Sequence, residues 1–177
     1  MPPKPIELCY QFCPRCGASV KQSAAIPFRC TDCEFAQFFG PVAAVGALVM
    51  NDNGDLLLVR RARDPGAGKW GLPGGFVDRE ETIEDAMRRE VKEETQLELR
   101  DTQYLMSHPN QYDYRGIVSP VIDLFYTARA VKPASIQLAQ EELDHHVWVR
   151  PSKVHLDEMA FHSNRLAVER WLQDNDS

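Results

Sequence analysis

The sequence predicts an α/β protein in which helices cover a mixed β-sheet, preceded by a small cysteine-rich module. Three observations indicate this arrangement: apolar, β-branched segments of strand length, two segments with apolar residues at helical spacing, and two pairs of cysteines near the N-terminus. The strand-like and helical segments follow one another without regular alternation, which favours a mixed sheet.

Length and composition limit the kind of protein that this chain can be. Its 177 residues suit one ordinary domain with a small appendage, and 44% hydrophobic with 26% charged residues is typical of a globular protein. The net charge of -6 argues against bulk attraction to nucleic acid or anionic membrane. No segment is apolar for long enough to span a membrane, and the N-terminus lacks the apolar core of a secretory signal, so we expect a cytoplasmic protein.

Four of the five cysteines form two C-x-x-C pairs, separated by residues 17–29. Thiolates suit zinc, and four of them leave no open position for water, so residues 1–40 are predicted to form a structural zinc ribbon. A redox dithiol is the alternative, but it requires a single pair beside a helix start. The predicted zinc ligands are Cys13, Cys16, Cys30 and Cys33, whereas Cys9 is assigned no function.

The ribbon has no basic stripe, because its basic residues are matched by acidic ones. We therefore expect the ribbon to pack against protein or to form a homodimer rather than to bind nucleic acid. Membrane partners are not expected either.

A β-hairpin and a glycine-rich loop are predicted after the ribbon. Residues 42–50 and 55–61 are apolar and strand-like, and the polar turn 51–54 joins them. Five glycines follow within residues 66–75, which indicates a loop that bends sharply or approaches a ligand closely.

A helix is predicted over residues 83–95, where Thr82 and Asp85 form a plausible capping box. Further strands are predicted at residues 103–107, 118–130 and 147–149, with a polar loop between the first two. An amphipathic helix at residues 164–173 follows the last of these strands.

The first predicted helix carries acidic residues on its apolar face. That face is defined by Ile83, Ala86 and Met87. Glu90 and Glu94 fall in its middle and Glu93 at its edge, because successive helical residues turn by about 100°. An unpaired buried carboxylate costs several kcal/mol or shifts its pKa, so these side chains imply cations between them. Oxygen ligands favour Mg²⁺ or Mn²⁺.

The alternative is a solvated acidic helix whose charges pair with neighbouring basic residues, namely Arg88, Arg89 and Lys92. The preceding loop favours the metal site. Gly74 and Gly75 allow a backbone carbonyl to reach a cation that the helix carboxylates share.

Loop and helix together resemble the signature of Nudix hydrolases, on Gly75, Glu81 and the run Arg89-Glu90-Val91-Lys92-Glu93-Glu94. The resemblance covers about residues 42–173 and implies an α/β/α sandwich, which places a Nudix domain at residues 41–177. One position departs from the family pattern, because Gln96 stands where glycine usually ends the helix with a left-handed residue. Glutamine there is expected to cost on the order of 1 kcal/mol or to require another cap.

The resemblance also implies roles for individual residues. The implied metal ligands are Glu90, Glu94, Glu93 and the Gly75 carbonyl, and the implied catalytic residues are Glu93, Glu90, Arg89 and Glu142. Arg89 is expected to orient the glutamates and Glu81 to brace Arg89. Glu142 ranks above Glu141 as the further acid that the family often brings over the site, and a solvated loop is the alternative for both.

The implied reaction is hydrolysis of a diphosphate bond in a nucleotide-type small molecule, with Mg²⁺ or Mn²⁺ as cofactor. Zinc-ribbon NADH pyrophosphatases carry a serine-glutamine-proline-tryptophan-proline-phenylalanine-proline run after the signature, of which only Ser107 and Pro109 remain. Pyrophosphatases acting on FAD and ADP-ribose resemble the chain more closely at residues 160–163. Tyr112 and Tyr114 are candidates to stack on a base or flavin ring, with packing as the alternative. The rival functions are a decapping hydrolase on capped RNA and a non-catalytic ADP-ribose-sensing regulator.

Overall fold

The computed structural model describes residues 2–20 and 25–175. Its strands are β1 (Lys4–Pro5), β2 (Phe28–Arg29), β3 (Ala36–Gln37), β4 (Val42–Met50), β5 (Leu56–Arg61), β6 (Trp70–Gly71), β7 (Gly74–Phe76), β8 (Leu99–Tyr114), β9 (Ile117–Ala130) and β10 (Leu143–Val149). Its α-helices are α1 (Ile83–Thr95), α2 (Lys153–Asp157) and α3 (His162–Asn175). None of these helices is both long and apolar enough to cross a membrane.

Eight of the strands form one mixed sheet, as predicted. Its central order is β1-β9-β4-β5-β10, while β8 pairs with β9, β6 with β5, and β7 with β4. Strands β5 and β10 are antiparallel, whereas β1 runs parallel to β9.

Helices cover both faces of the central strands. Successive residues of a strand point to opposite faces, so β5 contributes to two separate clusters of buried side chains. Leu57 and Val59 pack in one cluster with Met87 of α1. Leu56 and Leu58 pack in the other, which includes buried residues of α3. The α/β/α sandwich is confirmed.

The first helix has the predicted bounds. Thr82 precedes it, and the Thr82 hydroxyl accepts a hydrogen bond of 3.1 Å from the backbone N–H of Asp85. At the other end, Gln96 adopts the left-handed conformation with φ 59°. Its backbone N–H and its side-chain amide both donate to the Lys92 carbonyl, at 2.9 and 3.0 Å. Glutamine therefore takes the place that glycine usually has, and its own side chain adds a cap.

Several other bounds differ from the predictions. The polar loop predicted between residues 107 and 118 is wrong, because β8 and β9 continue through it to a turn at Gly116. The short helix α2 was not predicted, and β10 begins earlier than the expected strand at residue 147. The glycine-rich loop contains the short strands β6 and β7.

The chain divides into two compact units. One contains the residues up to Val42 together with Asn110–Val121, and the other contains Ala43–Pro109 and the chain from Ile122. In the first unit, Lys4 and Pro5 lie opposite Ile117 and Val118 in the β1–β9 pairing. Residues 1 and 21–24 of the predicted ribbon lie outside the described residues.

Candidate active site

The acidic face of α1 lies against the glycine-rich strand β7. Glu94 is buried, with 7% of its surface exposed, and its Oε2 accepts a hydrogen bond of 2.9 Å from the backbone N–H of Gly74. Gly74 has φ +149°, and a Cβ there would lie 2.0 Å from the Val45 carbonyl oxygen. Only glycine fits between the sheet and this carboxylate.

Gly75 makes an equally close approach to Glu90. A Cβ at Gly75 would lie 2.5 to 2.7 Å from the three carboxylate atoms of Glu90. The side chain of Glu90 is 15% exposed. The structure therefore brings Glu90 and Glu94 together with the backbone of Gly74 and Gly75 in one place.

Arg89 connects the acidic residues. Its Nε and Nη2 donate to the two carboxylate oxygens of Glu81, both at 2.9 Å. Its Nη1 donates to Glu90 at 2.8 Å and to Glu93 at 3.2 Å, and Nη2 also reaches the Phe76 carbonyl at 3.1 Å. Glu93 is 61% exposed, so it joins the group at its solvent edge. A guanidinium held by five acceptors fixes the orientation of the glutamates around it.

Burial dominates the electrostatics of the two inner carboxyls. It raises the pKa of Glu94 to about 8, although the hydrogen bond from Gly74 acts in the opposite direction. The pKa of Glu90 is also raised, mainly by burial, while Arg89 lowers it. Two buried acids with raised pKa values lack a full complement of positive charge. Their oxygen donors suit Mg²⁺ or Mn²⁺, which would supply that charge.

Glu142 belongs to the same electrostatic environment. Burial is the largest cause of the raised pKa of Glu90 and of Glu94, and the negative charge of Glu142 is a smaller cause that raises both. The Glu142 carboxylate forms an ion pair with Arg63, and its backbone carbonyl accepts from Ala62. Glu141 is exposed at the neighbouring position.

Arg61 and Arg63 were not predicted as site residues; Arg61 ends β5, and Arg63 follows it by two positions. Arg63 pairs with Glu142, and the charge of Arg61 acts on Glu94 in favour of its ionised form. The cluster of arginines after an apolar strand was the available signal.

The predicted ring-stacking tyrosines lie in the other compact unit, near the turn between β8 and β9. Tyr114 is 58% exposed and lies under the Arg115 guanidinium, and Tyr112 is partly buried. Their role in binding a substrate stays a prediction.

The four ribbon cysteines converge. Their sulfur atoms all lie within 4.8 Å of one another, and within residues 2–20 and 25–175 no other group of three or more metal-binding side chains is brought together in this way. The pairs Cys13–Cys33 and Cys16–Cys30 are each separated by 3.7 Å. Zinc–sulfur bonds of about 2.3 Å in a tetrahedron require sulfur–sulfur distances of about 3.8 Å, so the cluster fits one zinc ion.

The two cysteine turns have the same backbone structure. Gly17 donates to the Cys13 carbonyl at 2.9 Å, and Glu34 donates to the Cys30 carbonyl at 3.1 Å. Both donors are left-handed, with φ 76° and 59°. Cys9 lies apart from these turns, and its thiol donates to the Pro5 carbonyl.

Comparison with known proteins identifies the family. The model of the NUDIX domain matches residues 40–171. An ADP-ribose pyrophosphatase from Methanocaldococcus jannaschii is 36% identical over 91 residues, which cover 50% of this chain and 53% of that protein. An NAD-capped RNA hydrolase, NudC, from Vibrio atlanticus is 27% identical over 133 residues, which cover 75% of this chain and 48% of that protein.

Among solved structures, the NUDIX domain of Shewanella oneidensis NrtR, complexed with ADP ribose, superposes with a TM-score of 0.62. It is 26% identical, and the match covers 78% of this chain and 90% of that chain. The present chain spans about half the length of the two curated relatives above. Because the family model matches most of the chain and the fold agrees, this protein belongs to the Nudix family.

Proposed function

We propose that this chain is a pyrophosphohydrolase that uses Mg²⁺ or Mn²⁺ to cleave the diphosphate bond of a nucleoside diphosphate linked to another moiety. The substrates that we favour are ADP-ribose and FAD, with NADH ranked below them. The observation that carries the proposal is the buried pair Glu90 and Glu94, which lies against the backbone of Gly74 and Gly75. Such a pair is poorly compensated without a cation.

In this reaction water attacks one phosphorus, the bond to the bridging oxygen breaks, and two phosphorylated products leave. A bound divalent cation lowers the pKa of water and neutralises phosphate charge. Glu90 and Glu94 would hold the cation, with Glu93 and the Gly75 carbonyl as further ligands. Arg89 keeps Glu90 and Glu93 in place through its shared Nη1.

Two carboxylates are candidates for accepting the proton of the attacking water. Glu93 and Glu142 are both partly open to solvent, at 61% and 36%. Each is held by an arginine, Glu93 by Arg89 and Glu142 by Arg63. A carboxylate that is accessible and oriented meets the requirements of a general base.

The name of the archaeal relative and the ADP-ribose bound to the NrtR domain support ADP-ribose as the first substrate to examine. The name of the Vibrio relative supports a second candidate, hydrolysis of capped RNA. Binding to RNA that weakens steeply with added salt would favour that candidate. A non-catalytic sensor is the third, and it would bind ADP-ribose without consuming it.

The four cysteines are proposed to hold one structural zinc ion. A closed four-thiolate site has no open position, so zinc would stabilise residues 1–40 and take no part in the reaction at residues 41–177.

The test is a product assay across FAD, NADH, ADP-ribose, oxidised nucleoside triphosphates and capped RNA, with Mg²⁺ present. Glu94→Gln is the inactive variant, because it removes the charge with little change in volume. Glu98→Gln is the matched control, since Glu98 is a solvent-exposed acid paired with Lys92 just beyond α1. We expect cleavage by the wild type and by the control only. Undiminished turnover by Glu94→Gln would refute the proposed site.

A further inference from the structure

Arg61, the last residue of β5, has its guanidinium held on two sides. Its Nε donates a hydrogen bond of 2.6 Å to the Pro65 carbonyl. Its Cζ lies 5.2 Å from the centroid of the Phe161 ring, which is the distance of a cation–π contact. One edge and one face of the guanidinium are therefore occupied by groups that orient the side chain without neutralising its positive charge.

The glycine-rich loop is folded closely around this residue. The Arg61 backbone N–H donates to Lys69 at 3.0 Å, and its carbonyl accepts from Gly68 at 2.8 Å. Gly66 has φ +83°, and a Cβ there would lie 2.8 Å from the Ala160 Cβ and 3.5 Å from the Arg61 Cδ. Because only glycine fits, the loop can close over the side chain and fix its position.

Arg61 differs from the neighbouring arginines in its ion pairing. Arg60 pairs with Asp144 at 2.7 Å, and Arg63 pairs with Glu142. In the part of the chain that the structure describes, no carboxylate forms an ion pair with Arg61. Arg61 lies opposite Leu143 in the β5–β10 pairing, and the next residue, Ala62, donates to the backbone carbonyl of Glu142 at 2.8 Å. Arg61 is therefore beside a candidate proton acceptor of the proposed site, and its charge also favours the ionised form of Glu94.

We propose that Arg61 is a substrate-binding residue whose terminal amino groups donate to a phosphate oxygen of the diphosphate. This inference rests on the proposed function. A rigid guanidinium binds phosphate more strongly than a flexible one, because less side-chain freedom is lost on binding. Pro65, Phe161 and the closed loop supply that rigidity, and the acids of α1 attract the metal that accompanies the substrate.

The experiment compares Arg61→Ala with the matched control Arg60→Ala, in the full-length protein with zinc and Mg²⁺. KM and kcat are measured for ADP-ribose, and the affinity for AMP is measured by calorimetry. A lost charge-assisted hydrogen bond weakens binding about ten- to hundredfold. We expect Arg61→Ala to raise KM for ADP-ribose and Kd for AMP by that factor, while Arg60→Ala changes neither more than about twofold.

Two further variants keep the test decisive if Arg61→Ala unfolds. Arg61→Lys keeps the positive charge but loses the planar guanidinium with its paired N–H donors. Phe161→Leu keeps the apolar contact but loses the aromatic face. Both are expected to raise the Kd for AMP, by less than Arg61→Ala. Unchanged KM and Kd in every folded variant would overturn the inference.

The two proposals fail in different ways. If the wild type binds AMP through Arg61 but cleaves none of the substrates, the proposed function is wrong and the binding role stands. If the wild type cleaves ADP-ribose and the Arg61 variants match it in KM, the proposed function stands and the binding role of Arg61 is wrong. A wild type that neither binds AMP nor cleaves any substrate would overturn both.

Discussion

The backbone N–H of Gly74 donates to the carboxylate of Glu94, and this bond joins the sheet to the acidic face of α1. Strand β7, which contains Gly74, pairs with β4 through the register Gly46↔Gly74. The position of a buried acid on the helix is therefore set by the backbone of the central sheet. A site built in this way depends on regular structure rather than on a mobile loop.

The first prediction concerns the pH dependence of stability without Mg²⁺. Burial raises the pKa of Glu94 from 4.5 to about 8, so the folded protein keeps a proton that the unfolded chain releases. The associated stability is complete below pH 4.5 and is lost as the pH rises through about 8. Melting temperatures in magnesium-free buffer should fall across this window by the equivalent of a few kcal/mol.

Glu94→Gln is the control for that measurement, because a glutamine has no proton to lose. Its melting temperature should be flatter over the same window. Mg²⁺ should stabilise the wild type most at the alkaline end, where it does not compete with the proton, and should hardly stabilise the variant. An equal slope for both proteins would exclude Glu94 as the titrating group.

The second prediction concerns the proton acceptor. Glu142→Gln should lower kcat about 100-fold with little change in KM, because general-base catalysis contributes factors of this order. Arg63→Ala should lower kcat less, since it releases the Glu142 carboxylate without removing it. Glu141→Gln, at the adjacent exposed position, is the control and should match the wild type. If Glu142→Gln also matched it, Glu93 would be left as the base.

The third prediction concerns the end of α1. Gln96 is left-handed at φ 59°, which strains a residue with a Cβ. Gln96→Gly should increase the free energy of unfolding by about 0.5 kcal/mol, because the relief of strain exceeds the combined cost of glycine's entropy and of the lost, exposed side-chain hydrogen bond to Lys92. Denaturant titration measures this change, and catalysis should be unaffected. Gln96→Ala keeps the strain and loses the hydrogen bond to the Lys92 carbonyl, so it should destabilise instead.

The fourth prediction concerns the cysteine cluster. One zinc ion per chain should be found by elemental analysis, and only Cys9 should then react readily with a thiol reagent. Chelation should expose four more thiols and unfold the turns around Cys13 and Cys30. Cys13→Ser should lose the zinc, whereas Cys9→Ser should keep it. Five equally reactive thiols before chelation would contradict the zinc site.

The parts of the fold that the sequence predicted well depend on local rules. Helix α1 has a capping hydroxyl at Thr82 and a repeating apolar face, so its bounds follow from neighbouring residues alone. Most of strand β4 is buried, so it consists of a continuous apolar run that can be recognised in the sequence. The close approach of glycine to the acids of α1 was also foreseeable, because two successive residues without a Cβ allow the backbone to come close to side chains of the following helix.

The parts that were missed depend on distant contacts. Only residues 103–107 of strand β8 were predicted, because the remainder of the strand contains mostly polar residues and much of it is exposed. The contact between Arg61 and Phe161 joins residues a hundred positions apart, and the Arg63–Glu142 pair joins residues 79 apart. No local pattern specifies which arginine meets which partner, because tertiary packing decides it.

The pairing of Lys4 and Pro5 with Ile117 and Val118 means that the ribbon is discontinuous in sequence. Its compact unit includes the tip of the β8–β9 hairpin, which lies after helix α1 in the sequence. A graft that exchanged the first forty residues with those of a relative would transplant an incomplete structural unit. Engineers who wish to swap this module should carry residues 110–121 with it.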